Sequence, residues 1–157
     1  MEKTYEPIKF EQSIYQNWLD KGYFKACIDK SKKPFTIIMP PPNITSKLHM
    51  GHAFQQTIQD IIIRRKRMQG YEALWLPGTD HAAIATEAKV VEKLAKEGIT
   101  KEMLGREKFD EEIAKWYKEY KRKNIDQFKR RGYSCDWDRL RFTMDENNCR
   151  AVSDVFV

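Results

Sequence analysis

Phe35–Met39, FTIIM, runs directly into Pro40–His52, PPPNITSKLHMGH, and then into a helical pattern from Ala53 to Met68. The first five residues are short, β-prone and mostly apolar, which predicts a strand covered on both faces. Three prolines then bar continued helix or ladder. Phe54, Ile58, Ile61, Ile62 and Met68 recur at helix spacing, and Gly70 is a natural stop. Strand, tight loop and helix N-terminus in that order make a place for an anion. The first N–H groups of a helix lack backbone partners and lie at the positive end of its dipole. His49 and His52, three residues apart, can add ring donors on one side of the first turn. Gly51 between them has no Cβ, so a flat group such as a purine can lie against the backbone.

Around this stretch the chain alternates in type. Ala73–Leu76 reads as a second strand, interrupted by Pro77-Gly78. Strand, helix and strand of this polarity form most simply a right-handed βαβ unit, so the expected fold class is α/β with a parallel sheet. A helix from about Ile84 to Lys96 ends at Gly98, and Thr100, Met103 and Leu104 suggest a short turn or helix. Phe109, Ile113, Trp116, Tyr117, Tyr120 and Phe128 then mark one long helix to Gly132. Upstream, Ile14, Tyr15, Trp18 and Leu19 mark a short amphipathic helix over Phe10–Asp20, and Asp29–Lys33 is a polar connector. From Asp145 the pattern is helical again, with Val152, Val155, Phe156 and Val157 apolar and no stop signal. Met39, Trp75 and Trp116 read as core or pocket wall.

With 157 residues, 41% of them hydrophobic and 33% charged, the chain can build one core of its own. No apolar run approaches membrane-spanning length, and MEKTYEPIKFEQ has neither the basic lead nor the apolar centre of a secretory signal. Cys27, Cys135 and Cys149 are odd in number and lack metal-ligand spacing, which points to buried or idle thiols in a reducing cytoplasm. The net charge is +6, and Lys118–Arg131 holds seven basic residues against two acidic ones, with a second knot at Arg64–Arg67. A polyanionic partner explains such runs. A solvated helix face explains them equally.

Pro40–His52 resembles the first signature of class I aminoacyl-tRNA synthetases, the HIGH motif, here His49-Met50-Gly51-His52. Two further blocks narrow the resemblance, Trp75–Glu87 (WLPGTDHAAIATE) and Arg131–Glu146 (RGYSCDWDRLRFTMDE). Together with PPPN they resemble the valyl branch of that family. The isoleucyl and leucyl relatives usually carry a G-W-D run at Gly78-Thr79-Asp80. The resemblance implies the first half of a Rossmann-like parallel sheet with flanking helices, truncated within the catalytic domain. Residues 1–33 are then an N-terminal helical extension and residues 34–157 the incomplete catalytic domain.

It further implies ATP-dependent activation of valine to valyl-adenylate and transfer to tRNA(Val). Mg2+ comes carried by the ATP phosphates, with no protein-bound metal and no membrane. By resemblance His49 and His52 contact the ATP phosphates, with Gly51 against the adenine and Thr45 nearby. Pro41, Pro42 and Asn43 wall the valine pocket and Asp80 holds the α-ammonium. The chemistry asks for fixed donors, because negative charge moves onto phosphate oxygens in the transition state. Free imidazole titrates at about pH 6.5, so sequence alone leaves the charge of both histidines open.

Other readings fit parts of the pattern. His49, His52 and His81 can be a metal set, although no carboxylate or thiolate is spaced to complete it. Asp80 can be a plain helix N-cap. A free-standing H-x-G-H adenylyltransferase, or a non-catalytic ATP- or RNA-binding remnant, is the alternative at the level of function. Three positions depart from the family pattern: Ser46 and Ala83 stand where glycine is usual, and Glu87 where glutamine is usual. A left-handed backbone at Ser46 would carry strain. The family's second signature, a Lys-Met-Ser-Lys-Ser loop, does not occur in the 157 residues, nor do its editing insertion and anticodon-binding domain. The expected object is therefore a segment cut before the editing insertion.

Overall fold

The computed structural model describes residues 4–156, so the expectations touching residues 1–3 and Val157 lie outside it. The chain divides into two compact units. The first takes the chain up to Met39, then Met50–Pro77 and Asp126–Leu140. The second takes Pro40–His49, Gly78–Ile125 and the chain from Arg141 onward.

In the first unit, α1 (Pro7–Asp20) precedes β1 (Pro34–Ile38), α2 (Met50–Met68) and β2 (Glu72–Leu76). β1 and β2 pair in parallel, with Phe35 opposite Ala73 and Ile37 opposite Trp75. The strand–helix–strand reading is therefore observed. The expected cover on both faces of β1 is not. Pro34, Thr36 and Ile38 are exposed, while Phe35 and Ile37 are half-buried. β1 has a ladder partner on one edge only, and among the described residues nothing covers its outer face. β2 is better enclosed, with Ala73 and Trp75 buried.

The orientation of α2 departs from what its apolar pattern suggests. Phe54, Ile58, Ile61, Ile62 and Met68 lie on its open side, and Gln56 and Ile63 are its buried residues. Directed hydrogen bonds hold this face inward. The Trp75 indole N–H donates to Gln59 Oε1 at 3.1 Å. Asp60 accepts from the Ser134 N–H and hydroxyl, and Arg67 donates to the Ser134 hydroxyl and carbonyl oxygens at 2.7 and 2.8 Å. Around them Trp75 meets Tyr133, ring centroids 5.5 Å apart, and the Tyr15 hydroxyl ties α1 to the Tyr133 carbonyl at 2.8 Å. Cys135 is buried and free, and burial pushes its thiol pKa up, which keeps it protonated and inert.

In the second unit, β3 (Gly78–Thr79) pairs in parallel with β4 (Arg141–Phe142), Thr79 opposite Phe142. α3 (Ala83–Lys96) and α4 (Lys101–Arg130, its last five residues counted with the first unit) supply the core. Val90 and Leu94 meet Phe109 and Ile113, each pair one helical turn apart, and Ile99, Leu104, Trp116 and Tyr117 close around them. Gly105 breaks α4 with φ +73°, a conformation open to glycine, and so separates the short turn expected near Thr100–Leu104 from the long helix. α5 (Glu146–Val155) starts under Asp145, whose side chain accepts from the Asn148 N–H at 2.9 Å.

Two isoleucines two residues apart on α2 test its orientation. Ile63 is 0% exposed and Ile61 61%. Ile63→Ala is expected to destabilise the chain by about 2–4 kcal/mol in urea unfolding, and Ile61→Ala by less than about 0.5 kcal/mol. Equal costs would mean that the apolar ridge faces inward.

Candidate active site

The proline loop cannot form a regular ladder, because proline has no N–H to give, yet each proline keeps its carbonyl as an acceptor. The structure uses one of them. The Asp80 N–H donates to Pro42 O and the Asp80 carbonyl accepts from the Ile44 N–H, both at 2.9 Å, so Asn43 and Asp80 form an isolated parallel bridge. Gly78 fits closely beside this loop, since a Cβ there would sit 3.4 Å from Pro41 Cβ. Pro42 is buried, whereas Pro41 and Asn43 are exposed. The Trp116 indole donates to Ile44 O at 2.9 Å and fixes the far side of the loop.

The Asp80 carboxylate is held by one oxygen. Oδ1 accepts from the Thr143 hydroxyl at 3.0 Å and from the Ala82 N–H at 3.1 Å. Oδ2 has no partner among the described residues, and the side chain is 33% exposed. Thr143 also accepts from the His81 N–H at 2.9 Å, and its Oγ1 lies 2.6 Å from His81 Nδ1. A hydroxyl has a single proton. With that proton on Asp80, Nδ1 must supply its own, which assigns the Nδ1–H form to a neutral His81 and leaves Nε2 as the ring acceptor.

Asp80 is not a plain cap. The N-cap of α3 is Ala82, which has no side-chain bond, and Asp80 makes a local turn onto the Ala82 N–H instead. Ala82 takes φ +46°, and it alone among the described non-glycine residues has a positive φ. Ser46 and Ala83 therefore replace glycine without left-handed strain. Glu87 pairs with Lys101 at 3.2 Å.

The His81 ring meets Tyr117 and Phe142 edge-on, with centroids 6.2 and 6.4 Å away. Burial first, then the negative charges of Glu87 and Asp80, raise the Tyr117 phenol pKa, so the ring stays neutral.

Pro41, Pro42, Asn43 and Asp80 thus come together in one unit. Thr45 is half-buried in the same loop, and His49 ends that segment, exposed. Met50, Gly51 and His52 form the first turn of α2 in the other unit, and that turn carries no acidic residue. Among the described residues no group of three or more His, Cys, Asp or Glu is placed to hold a metal ion. Thr143 was not singled out by motif or spacing. It lies inside the third block of resemblance, and its 63-residue separation from Asp80 hides the contact from any local pattern.

A family model for class I tRNA synthetases (I, L, M and V) matches residues 13–157. The valine–tRNA ligase of Clostridium perfringens is 58% identical over 98% of this chain and 18% of its own length. That of Clostridium acetobutylicum is 55% identical over the whole chain and 18% of its own length. The chain thus spans about a fifth of the length of the curated relatives it matches. The crystal structure of the ternary complex of Agrobacterium radiobacter K84 agnB2 LeuRS, tRNA and LeuAMS superposes with a TM-score of 0.75 at 17% identity. That match covers 98% of this chain and 18% of that one, and shows the fold alone. A family match over nearly the whole length, on parallel strands and helices that carry the signature blocks, makes this chain a member of the class I tRNA synthetases of the isoleucine, leucine, methionine and valine group.

Proposed function

We propose that this segment is the N-terminal part of the catalytic domain of a valine–tRNA ligase, with residues 1–33 as a helical extension and residues 34–157 as the first half of the Rossmann-like domain. The names of its relatives support the reading. The observation that carries it is the half-occupied Asp80 carboxylate. Oδ1 is clamped by Thr143 and Ala82, which leaves Oδ2 presented for a cation. A small α-ammonium meets that requirement.

In the proposed reaction a valine carboxylate oxygen attacks the α-phosphorus of ATP. The bond to the β-phosphate oxygen breaks, and pyrophosphate leaves. A 3′-terminal ribose hydroxyl of tRNA(Val) then attacks the acyl carbon and AMP departs. Pro41, Pro42 and Asn43 wall the amino acid and Asp80 orients it. His49 and His52 bind the phosphates, Gly51 lies under the adenine and Thr45 contributes to the nucleotide site. Mg2+ travels on the phosphates of ATP as part of the substrate. The protein needs no nucleophile of its own, because its work is positioning and charge stabilisation. The reaction belongs to the cytoplasm, and no helix among the described residues is long and apolar enough to cross a membrane.

A chimera in which this segment replaces the matching 154 residues of the Clostridium perfringens ligase allows kinetic tests. Valine-dependent ATP–pyrophosphate exchange is expected. Exchange with a non-amino-acid substrate would favour a free-standing adenylyltransferase, and none at all a binding remnant. Asp80→Asn should raise the KM for valine by the equivalent of about 2 kcal/mol or more while the KM for ATP moves little. Equal effects on both substrates would sink the assignment.

Thr143→Val should raise the valine KM about tenfold by freeing Asp80, and Thr143→Ser should restore it. For the phosphate site, His49→Ala and His52→Ala should each lower the maximal exchange rate by about 10²–10³-fold. Wild-type rates in both would remove the histidines from that role.

A further inference from the structure

The hydroxyl that holds Asp80 has one proton to give and two acceptor sites to fill. At Thr143 the His81 backbone N–H takes one acceptor site at 2.9 Å. His81 Nδ1, 2.6 Å away, takes the other when it carries a proton. The hydroxyl proton then has one direction left, toward Asp80 Oδ1 at 3.0 Å. With the ring proton on Nε2 instead, Nδ1 would be a second acceptor competing with the carboxylate for that proton. His81 therefore acts on Asp80 through the hydroxyl, and it is itself held. The Thr86 hydroxyl donates to the His81 carbonyl at 2.6 Å, and the Tyr117 and Phe142 rings stand edge-on to the imidazole.

The same ring bears on Asp80 by charge. Nδ1 lies 3.4 Å from Asp80 Oδ1, and the two side chains are 27% and 33% exposed, so protons from solvent reach them. A proton added at Nε2 leaves the Nδ1–H bond to Thr143 in place and creates a cation beside the carboxylate. The other titratable or charged groups on this side are Tyr117 of α4, a neutral phenol, Glu87 of α3, paired with Lys101, and Lys121 of α4 over the Phe142 ring. We propose that His81 is a positioning residue of the amino-acid site. Its neutral Nδ1–H form fixes the Thr143 proton on Asp80, and a proton on Nε2 makes the ring a rival of the substrate ammonium for that carboxylate. Valine capture and proton capture are thereby linked, each weakening the other by the same factor. The proposal rests on the ligase reading for the identity of the ammonium.

The hydrogen-bond assignment is tested without that reading. Long-range proton–nitrogen correlation spectra of the 157-residue chain distinguish the two neutral tautomers of its three histidines, and His81→Asn identifies the His81 signals by their loss. In its neutral form His81 should carry the proton on Nδ1. A neutral ring with its proton on Nε2 would overturn the proposal.

Kinetics of the chimera test the link to substrate. The KM for valine should rise about threefold or more from about pH 8 to about pH 6. His49 and His52 are imidazoles as well, so the deciding comparison is the parent against His81→Asn. An asparagine amide offers an N–H in place of Nδ1–H and takes up no proton. That variant should bind valine within about twofold of the parent at the higher pH and lose the acid rise. His81→Leu has neither donor nor charge, and should raise the valine KM about fivefold at both pH values with kcat little changed. The same acid rise in His81→Asn as in the parent would overturn the proposal. So would a valine KM untouched by His81→Leu, or equal losses on valine and ATP in both variants. If the parent chimera shows no valine-dependent exchange, the ligase reading fails, and the tautomer spectrum still decides the role of His81 toward Thr143.

Discussion

Asp80 is hydrogen-bonded through its backbone on both sides, to Pro42 O and from the Ile44 N–H. That double pairing fixes the residue against a loop whose prolines can give no regular ladder. The placement of its side chain follows from the neighbouring register. Thr79 pairs with Phe142, and the Thr143 N–H donates to Thr79 O at 3.2 Å, which brings the Thr143 hydroxyl to Asp80. A one-residue slip of β4 would turn that hydroxyl to the opposite face. The same slip would remove Phe142 from His81 and Tyr117. A two-residue strand pair therefore determines whether a carboxylate is presented or idle.

In the first unit a different constraint governs. α2 has two candidate inner faces, one apolar and one polar, and area burial alone would choose the apolar one. The polar face wins because its groups find partners of defined geometry. Gln59 meets the Trp75 indole, Asp60 meets Ser134, and Arg67 reaches Ser134 from the next turn. Turned outward, the same groups would be hydrated at little cost, so what these bonds supply is direction, added to the burial of Ile63. The hydrogen bonds thus determine the rotation of the helix about its axis, and its first turn, with Gly51 and His52, takes its orientation from them.

Much of this was legible in the sequence. The order of strands and helices followed from periodicity and from stop signals such as Gly70 and Gly98, because these depend on neighbours within a few residues. The family followed from blocks of resemblance, and one of those blocks makes Asp80 a candidate. Three features were not legible. The outer face of β1 was expected to be covered, since an apolar run looks the same whether one side or both are buried. The rotation of α2 was hidden because hydrophobic spacing reports an amphipathic stripe without saying what competes for the interior. Thr143 was hidden by distance along the chain. That Asp80 does not merely cap α3 is visible only in the positive φ of Ala82 and the turn onto its N–H.

The basic run from Lys118 to Arg131 shows why composition cannot decide between a solvated face and a binding surface. A single stretch of helix sends its cations to three fates. Lys123 is neutralised by Glu119 one turn away, and Lys129 stands over the Trp137 ring at 5.5 Å. Lys118, Lys121 and Arg122 share a groove with aromatic side chains and, among the described residues, form no direct ion pair. Net charge counts all of them alike. What separates them is whether a carboxylate lies one turn away, and whether the side chain reaches an aromatic ring. The helix period assigns those neighbours, so the charge pattern acquires meaning only once each cation is placed on a face.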